Sequence, residues 1–119
     1  MTEKGKFLKK FNEAFAKGDI DFLLHSITDD IYWTLYGHKH ISGKEAFKRE
    51  VQKMVEMETG ISIHKIITHG NTASVNGIIE ANDDNGKAMT LAYCDVYGLS
   101  GFKNPKIKTI ETYLVKLNQ

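Results

Sequence analysis

The chain has 119 residues, which is the usual size of one domain, so we expect a single domain over residues 1–119. Its 16 Lys and Arg residues nearly balance its 15 Asp and Glu residues, which leaves a net charge of +1. This balance argues against a nucleic-acid-binding surface and against a charged interaction tail. A hydrophobic fraction of 41% argues against disorder.

The cellular compartment is predicted from what the sequence lacks. Cys94 is the single cysteine and cannot form an intrachain disulfide, which suggests either a reducing compartment or a secreted protein that needs no disulfide. No apolar run approaches the roughly 18–20 residues of a membrane span. The first residues carry positive charge without the hydrophobic region of a signal peptide. We therefore expect a cytoplasmic protein that does not bind membranes.

The first two predicted elements are helices. Phe7, Phe11 and Phe15 recur every four residues and predict an amphipathic helix that ends at Gly18. Asp19 is placed to cap a second, short helix. The phenylalanine stripe is interpreted first as core and second as the lining of a pocket. The polar face of the first helix is assigned to Lys9, Lys10, Asn12 and Glu13.

A strand and a third helix follow. Residues 31–36 are rich in aromatic and β-branched side chains and predict a strand that ends at Gly37. His38-Lys39-His40 is interpreted as a polar loop, because a metal site would need a further ligand. Ser42 and Glu45 have capping-box spacing and predict the start of a third helix, which Gly60 ends.

The second half of the chain changes to a two-residue periodicity. It predicts four strands at residues 61–68, 72–81, 87–97 and 106–117, joined by turn sequences. We therefore predict an α+β domain in which three N-terminal helices pack on one face of a curved, mostly antiparallel sheet. Such a sheet leaves a concavity, where small ligands commonly bind.

The strand at residues 87–97 carries the main candidate for chemistry. Alternation places Asp95 between Tyr93 and Tyr97 on the face that also holds the bulky Met89 and Leu91. If that face is interior, burial raises the pKa of the Asp95 carboxyl group, and a neutral acid can donate a hydrogen bond. Alternatively, Asp95 accepts a bond from a tyrosine or an amide at a partly wet edge. The sequence leaves both interpretations open.

The last strand has apolar residues on both faces, so its pocket-lining face is not decided. An outer face with Tyr113, Val115 and Leu117 would suit a dimer contact. Trp33, in the strand at residues 31–36, is interpreted first as a core residue and second as part of a pocket wall.

Several segments carry a family resemblance by their order and spacing. They are residues 11–19 (FNEAFAKGD), the acidic pair 29–30, the Trp33 strand, residues 43–46 (GKEA), 70–75 (GNTASV), 93–97 (YCDVY), and 106–107 (KI) leading to Tyr113. Together they resemble the SnoaL-like members of the NTF2-like superfamily, which also contains ketosteroid isomerases and polyketide cyclases. The resemblance implies an NTF2-like cone with an apolar pocket, often dimeric through its sheet.

The resemblance also assigns roles to individual positions. Asp95 falls where ketosteroid isomerases have the acid that stabilises a dienolate oxygen. Phe11 replaces their helix tyrosine and Leu35 replaces their proton-moving aspartate, so steroid isomerisation by that mechanism is not expected. SnoaL-like cyclases rely on an acid/base aspartate on a late strand, which keeps Asp95 as the candidate catalytic residue.

Three hypotheses about function follow. The first is a cofactor-independent isomerase, cyclase or lyase-like enzyme that acts on a small hydrophobic, carbonyl-bearing or aromatic molecule. The second is a non-catalytic module that binds such a ligand, and the third is a dimeric interaction domain. We expect no cofactor, no metal and no nucleic acid, and a homodimer through the sheet face. The predicted pocket residues are Phe11, Phe15, Trp33, Leu35, Met54, Leu91, Tyr93 and Tyr97.

Overall fold

The computed structural model describes residues 1–101 and 103–117, which form helices and strands in an interleaved order. None of the helices in these residues is long and apolar enough to cross a lipid bilayer. The elements, in chain order, are α1 (Glu3–Lys17), α2 (Ile20–His25), β1 (Ile27–Leu35), β2 (Lys39–Ser42), α3 (Lys44–Glu56), β3 (Gly60–His69), β4 (Thr72–Asn82), β5 (Ala88–Ser100) and β6 (Lys106–Lys116).

The strands form a six-stranded sheet in the order β2-β1-β6-β5-β4-β3. The β1–β6 pair is parallel, which is possible because α3 and four strands separate β1 from β6 along the chain. Every other pair is antiparallel. The register shifts once in each of the β1–β6, β3–β4 and β5–β6 pairs, and such bulges bend a sheet. The predicted α+β fold, with helices on a curved, mostly antiparallel sheet, is confirmed.

The hydrophobic core lies between the helices and the inner face of the sheet. Phe11 of α1, Phe47 of α3 and Trp33 of β1 are at most 4% exposed. Trp33 packs between Phe15 and Phe47, with ring centroids 6.2 and 5.5 Å away. Burial of each such side chain stabilises the fold by about 1.5–3 kcal/mol. The core therefore fixes α1 and α3 against the part of the sheet where the candidate site lies.

The structure corrects the predicted boundaries around β1. The strand begins at Ile27 and not at residue 31, because Ile27 is fully buried opposite Ile107 of β6. The segment His38-Lys39-His40 was predicted to be a polar loop, which is correct for His38 in the turn and wrong for Lys39 and His40, which begin β2. The His40 ring stacks on Tyr32 with centroids 5.6 Å apart, so pairing with β1 orders this polar segment.

The predicted capping box at the start of α3 is also wrong. Ser42 belongs to β2 and pairs with Tyr32, so it is not free to cap the helix. The N-cap is Gly43, which has a φ of 90° and forms no side-chain cap. A positive φ costs glycine little, because it has no Cβ.

One residue of α1 lies on the face opposite to that predicted. Asn12 was assigned to the polar face, but it is 2% exposed and points into the core. Leu8, Phe11, Asn12 and Phe15 follow the i, i+3, i+4, i+7 spacing of one helix face. The core of α1 therefore contains an amide that needs hydrogen-bond partners.

Candidate functional site

A cavity of about 60 Å³ lies between the helices and the inner face of the sheet. Its wall is mostly apolar, and Asp95 is its one ionisable carboxylate. The residues that line it are Asn12 and Phe15 of α1, Trp33 and Leu35 of β1, Met54 of α3, Ile61 of β3, Ile79 of β4, Tyr93 and Asp95 of β5, and Thr112 and Leu114 of β6.

Six of the nine predicted site residues meet on this wall. They are Asp95, Phe15, Trp33, Leu35, Met54 and Tyr93. Phe11 lies behind the wall, edge-on to Phe15 and Tyr97. Tyr97 is buried and reaches the site through a hydrogen bond to Asp95, and Leu91 pairs with Ile79 farther along β5. The ligand contacts assigned to these nine residues stay predictions.

The carboxyl group of Asp95 accepts a hydrogen bond at each oxygen. Thr112 Oγ1 donates to Oδ1 at 2.7 Å, and Tyr97 OH donates to Oδ2 at 3.0 Å. Thr112 reaches Asp95 because these two residues are direct partners in the β5–β6 ladder. Tyr97 reaches it because residues two apart in a strand share a face. The sheet therefore positions the carboxylate from two sides.

A second layer of hydrogen bonds holds these donors. Trp33 Nε1 donates to Thr112 Oγ1 at 2.9 Å. Asn12 Nδ2 donates to Tyr97 OH at 3.1 Å, and Asn12 Oδ1 accepts from Tyr93 OH at 2.9 Å. One helix and three strands thus contribute to a single network that centres on Asp95.

The environment changes the protonation of this network. Burial raises the pKa of Asp95 to about 6, and the hydrogen bonds from Thr112 and Tyr97 oppose this rise. Burial, followed by the nearby charge of Asp95, also raises the pKa values of Tyr93 and Tyr97. Both tyrosines therefore stay neutral at physiological pH and act as hydrogen-bond donors, while Asp95 can exchange a proton near neutrality.

Sequence reasoning missed two polar residues of the site, Asn12 and Thr112. The helical spacing from Leu8 to Phe15 was a signal for Asn12. Thr112 had no comparable signal, because both faces of the last strand carry apolar residues. The β5–β6 register decides which face of the last strand points inward, because it places Thr112 directly opposite Asp95. Ile110 and Leu114 share that inner face.

Two other features of the molecule do not make a second candidate site. A wider groove of about 840 Å³ lies between α1, α2 and the β5–β6 connection, and its wall includes Phe7, Phe22 and Pro105. The described residues along this groove include neither Asp95 nor any of its hydrogen-bond partners. Within residues 1–101 and 103–117, no three His, Cys, Asp or Glu side chains form a cluster that could hold a metal ion. The small cavity is the candidate site because it contains the Asp95 network.

Comparison with known proteins identifies the family. The model of the SnoaL-like domain matches residues 8–108, which include most of α1 and all of β5, the strand of Asp95. The chain belongs to the SnoaL-like family. No curated protein matches the sequence.

Solved structures share the fold of this family member. An NTF2-like protein of unknown function from Cytophaga hutchinsonii ATCC 33406 is 25% identical, with 93% of this chain and 98% of that chain covered and a TM-score of 0.75. SalBIII, an epoxide hydrolase/cyclase-like enzyme in pyran ring formation of salinomycin, is 17% identical over 92% and 88%, with a TM-score of 0.83. A putative SnoaL-like polyketide cyclase from Jannaschia sp. CCS1 is 10% identical over 92% and 83%, with a TM-score of 0.78.

Proposed function

We propose that this SnoaL-like protein binds a small hydrophobic, carbonyl-bearing molecule in the cavity and that Asp95 acts on it as a general base. The observation that carries the proposal is a carboxylate with a raised pKa on the wall of an otherwise apolar cavity. With a pKa of about 6, Asp95 is mostly ionised at neutral pH, yet it is more basic than an exposed aspartate.

The proposed step is abstraction of a proton from the carbon next to the carbonyl group. The C–H bond breaks, an O–H bond forms on Asp95, and the electron pair moves to the carbonyl oxygen as an enolate. Where the enolate is conjugated with a second double bond, return of the proton to the far carbon completes an isomerisation. Attack of the enolate on a second carbonyl carbon of the same molecule closes a ring, and the proton on Asp95 then passes to the new alkoxide oxygen. We propose that Tyr93, on the same cavity wall, turns its hydroxyl proton from Asn12 Oδ1 to the carbonyl oxygen when the ligand binds.

The size of the cavity restricts the ligand. About 60 Å³ is roughly twice the volume of one water molecule and far below the roughly 300–1,000 Å³ of common ligand pockets. Met54 of α3 is the flexible residue of the wall, and its unbranched side chain can change rotamer at low cost. We propose that Met54 moves to admit any ligand larger than a few heavy atoms.

Two of the solved relatives support the reaction class. SalBIII is described as epoxide hydrolase/cyclase-like, and the Jannaschia protein as a putative polyketide cyclase. Ring closure and isomerisation both depend on a positioned acid or base, which is the role proposed here for Asp95.

The proposal is tested with simple ketones as probes. Acetone, cyclopentanone and cyclohexanone are incubated with the protein in D₂O, and NMR follows exchange of the hydrogens next to the carbonyl. Wild-type protein should accelerate exchange, and Asp95→Asn should lower that acceleration by at least about 100-fold. The matched control is Asp84→Asn, which removes an exposed carboxylate in the β4–β5 turn and should leave exchange unchanged.

Two results would contradict this proposal in different ways. Equal exchange in wild type and Asp95→Asn would remove Asp95 from the chemistry. Thermal stabilisation by these ketones without any exchange would favour the non-catalytic binding module, because a bound ligand stabilises by about 2.7 kcal/mol at a hundredfold excess over its dissociation constant.

We also propose that the chain forms a homodimer through the outer face of the sheet. Tyr113, Val115 and Leu117 are 45%, 61% and 53% exposed there, and Tyr36 stacks on Tyr113 with ring centroids 4.7 Å apart. Exposed large apolar side chains that cluster on one face are typical of an interface. A second copy of the chain fits this apolar surface, because a two-fold axis brings the same surface of two copies together. A net charge of +1 gives little repulsion between the copies.

A further inference from the structure

The hydrogen bond from Trp33 determines the direction of the bonds on one side of Asp95. An indole N–H can only donate, so Thr112 Oγ1 must accept the bond from Trp33 Nε1. The single hydroxyl proton of Thr112 is then available for Asp95 Oδ1, at 2.7 Å. Trp33 and Thr112 form one arm of the network, and this arm presents a hydrogen-bond donor to the carboxyl group.

On the other side, a helix carbonyl determines the direction. Asn12 Nδ2 lies 2.8 Å from the carbonyl oxygen of Leu8, which can only accept, so the nitrogen of the amide must face it. If the amide were flipped, Asn12 Oδ1 would face the carbonyl oxygen of Leu8, and neither oxygen could donate a hydrogen bond. The second amide proton therefore goes to Tyr97 OH, and the hydroxyl of Tyr97 donates to Asp95 Oδ2.

These two arms have the same consequence for Asp95. Each carboxyl oxygen faces a hydroxyl whose proton already points toward it, because the other side of each hydroxyl accepts a bond. A neutral Asp95 would have to direct its own proton at one of these donors or into the cavity. The network therefore matches the ionised carboxylate, which accepts hydrogen bonds and donates none.

We propose that Asn12 and Thr112 are positioning residues that hold Asp95 as a hydrogen-bond acceptor, so that the site works as a base and not as a neutral acid donating to an oxyanion. The inference rests on the proposed function, since it assigns the role of Asp95 in that same cavity. The pKa of about 6 agrees with it, because the two bonds limit the rise that burial causes. Without these two bonds the pKa of the Asp95 carboxyl group would be higher.

The test is an NMR titration of the Asp95 side-chain carboxyl carbon in protein labelled with ¹³C aspartate, assigned by its loss in Asp95→Asn. Thr112→Val preserves shape and removes the hydroxyl, so the midpoint should rise by roughly one pH unit. Thr112→Ser keeps the hydroxyl and should restore the wild-type midpoint. Asn12→Leu should also raise the midpoint, because Tyr97 then becomes free to accept a bond from a protonated Asp95. This rise should be smaller than in Thr112→Val, because Tyr97 keeps its hydroxyl beside Asp95.

The outcomes separate a positioning role from a purely structural one. A purely structural residue would change the melting temperature and leave the Asp95 midpoint where it is, and an unchanged midpoint in Thr112→Val or Asn12→Leu overturns the proposal. If Asn12→Leu does not fold, Tyr97→Phe tests the same arm by removing the donor to Oδ2, and it must raise the midpoint. The titration uses no ligand, so its result is independent of whether Asp95→Asn abolishes ketone exchange.

Discussion

Tyr97 donates a hydrogen bond of 3.0 Å to Oδ2 of Asp95, two residues earlier on the same strand. Alone, this bond would lower the pKa of the carboxyl group, because it stabilises the charged form. Burial acts in the opposite direction and is the larger effect, since the pKa rises from 3.8 to about 6. Folding therefore favours the protonated form of Asp95, although the surrounding donors are arranged for the carboxylate.

The raised pKa predicts how stability depends on pH. A proton on Asp95 stabilises the folded state fully below about pH 3.8, and this contribution is lost as the pH rises through about 6. The difference corresponds to about 3 kcal/mol in the free energy of unfolding. Asp95→Asn is neutral at every pH, so its stability relative to wild type should increase by about this amount between about pH 4 and about pH 7. Urea denaturation at several pH values measures it.

The comparison with the variant cancels the contributions of other acids. Asp30 and Asp83 have lowered pKa values, and for Asp83 the largest cause is the hydrogen bond from the backbone N–H of Lys87. Their contributions change with pH in the opposite direction but are shared by both proteins. A stability difference that stays constant with pH would show that folding does not perturb Asp95.

The fold was predictable because its long elements repeat their periodicity many times. Alternation in β5 placed Tyr93, Asp95 and Tyr97 on one face, and the structure has that arrangement. The four-residue strand β2 was missed because it is too short to show a period and contains polar residues. Pairing with β1 orders it, and that contact is not visible from local sequence.

The partners of Asp95 were harder to predict than Asp95 itself. Thr112 is 17 residues away along the chain and meets Asp95 only through the β5–β6 register. Asn12 is polar, and a polar residue on an amphipathic helix is normally assigned to solvent. Its burial depends on hydrogen bonds with Tyr93 and Tyr97 of β5, so the tertiary structure decides it.

A steric prediction concerns Gly77 in β4. A Cβ at this position would overlap the carbonyl oxygen of Ser62 on β3, where the register shifts between Ile63 and Lys65. Because backbone cannot move aside as a flexible side chain can, Gly77→Ala should lower the free energy of unfolding by roughly 3 kcal/mol, as for a severe overpacking change. Chemical denaturation provides the measurement.

Gly60 is the matched control, because it lies in the same pair of strands. A Cβ at Gly60 would have the carbonyl oxygen of Glu80 as its nearest neighbour, at 3.9 Å, which is an ordinary contact. Gly60→Ala should therefore change stability by less than about 0.5 kcal/mol. Similar losses in both variants would mean that the close approach of β3 and β4 at Gly77 does not exist.

The last prediction concerns self-association through the outer sheet face. Val115 is 61% exposed beside Tyr113, so Val115→Glu places a charge within the proposed interface without disturbing the core. Wild-type protein should sediment as a dimer at micromolar concentrations and Val115→Glu as a monomer, because a buried, unpaired carboxylate costs several kcal/mol. Gln52→Glu adds the same charge on the exposed side of α3 and should remain dimeric. A wild-type protein that stays monomeric at every concentration, or a Val115→Glu variant that still dimerises, would place the interface elsewhere or remove it.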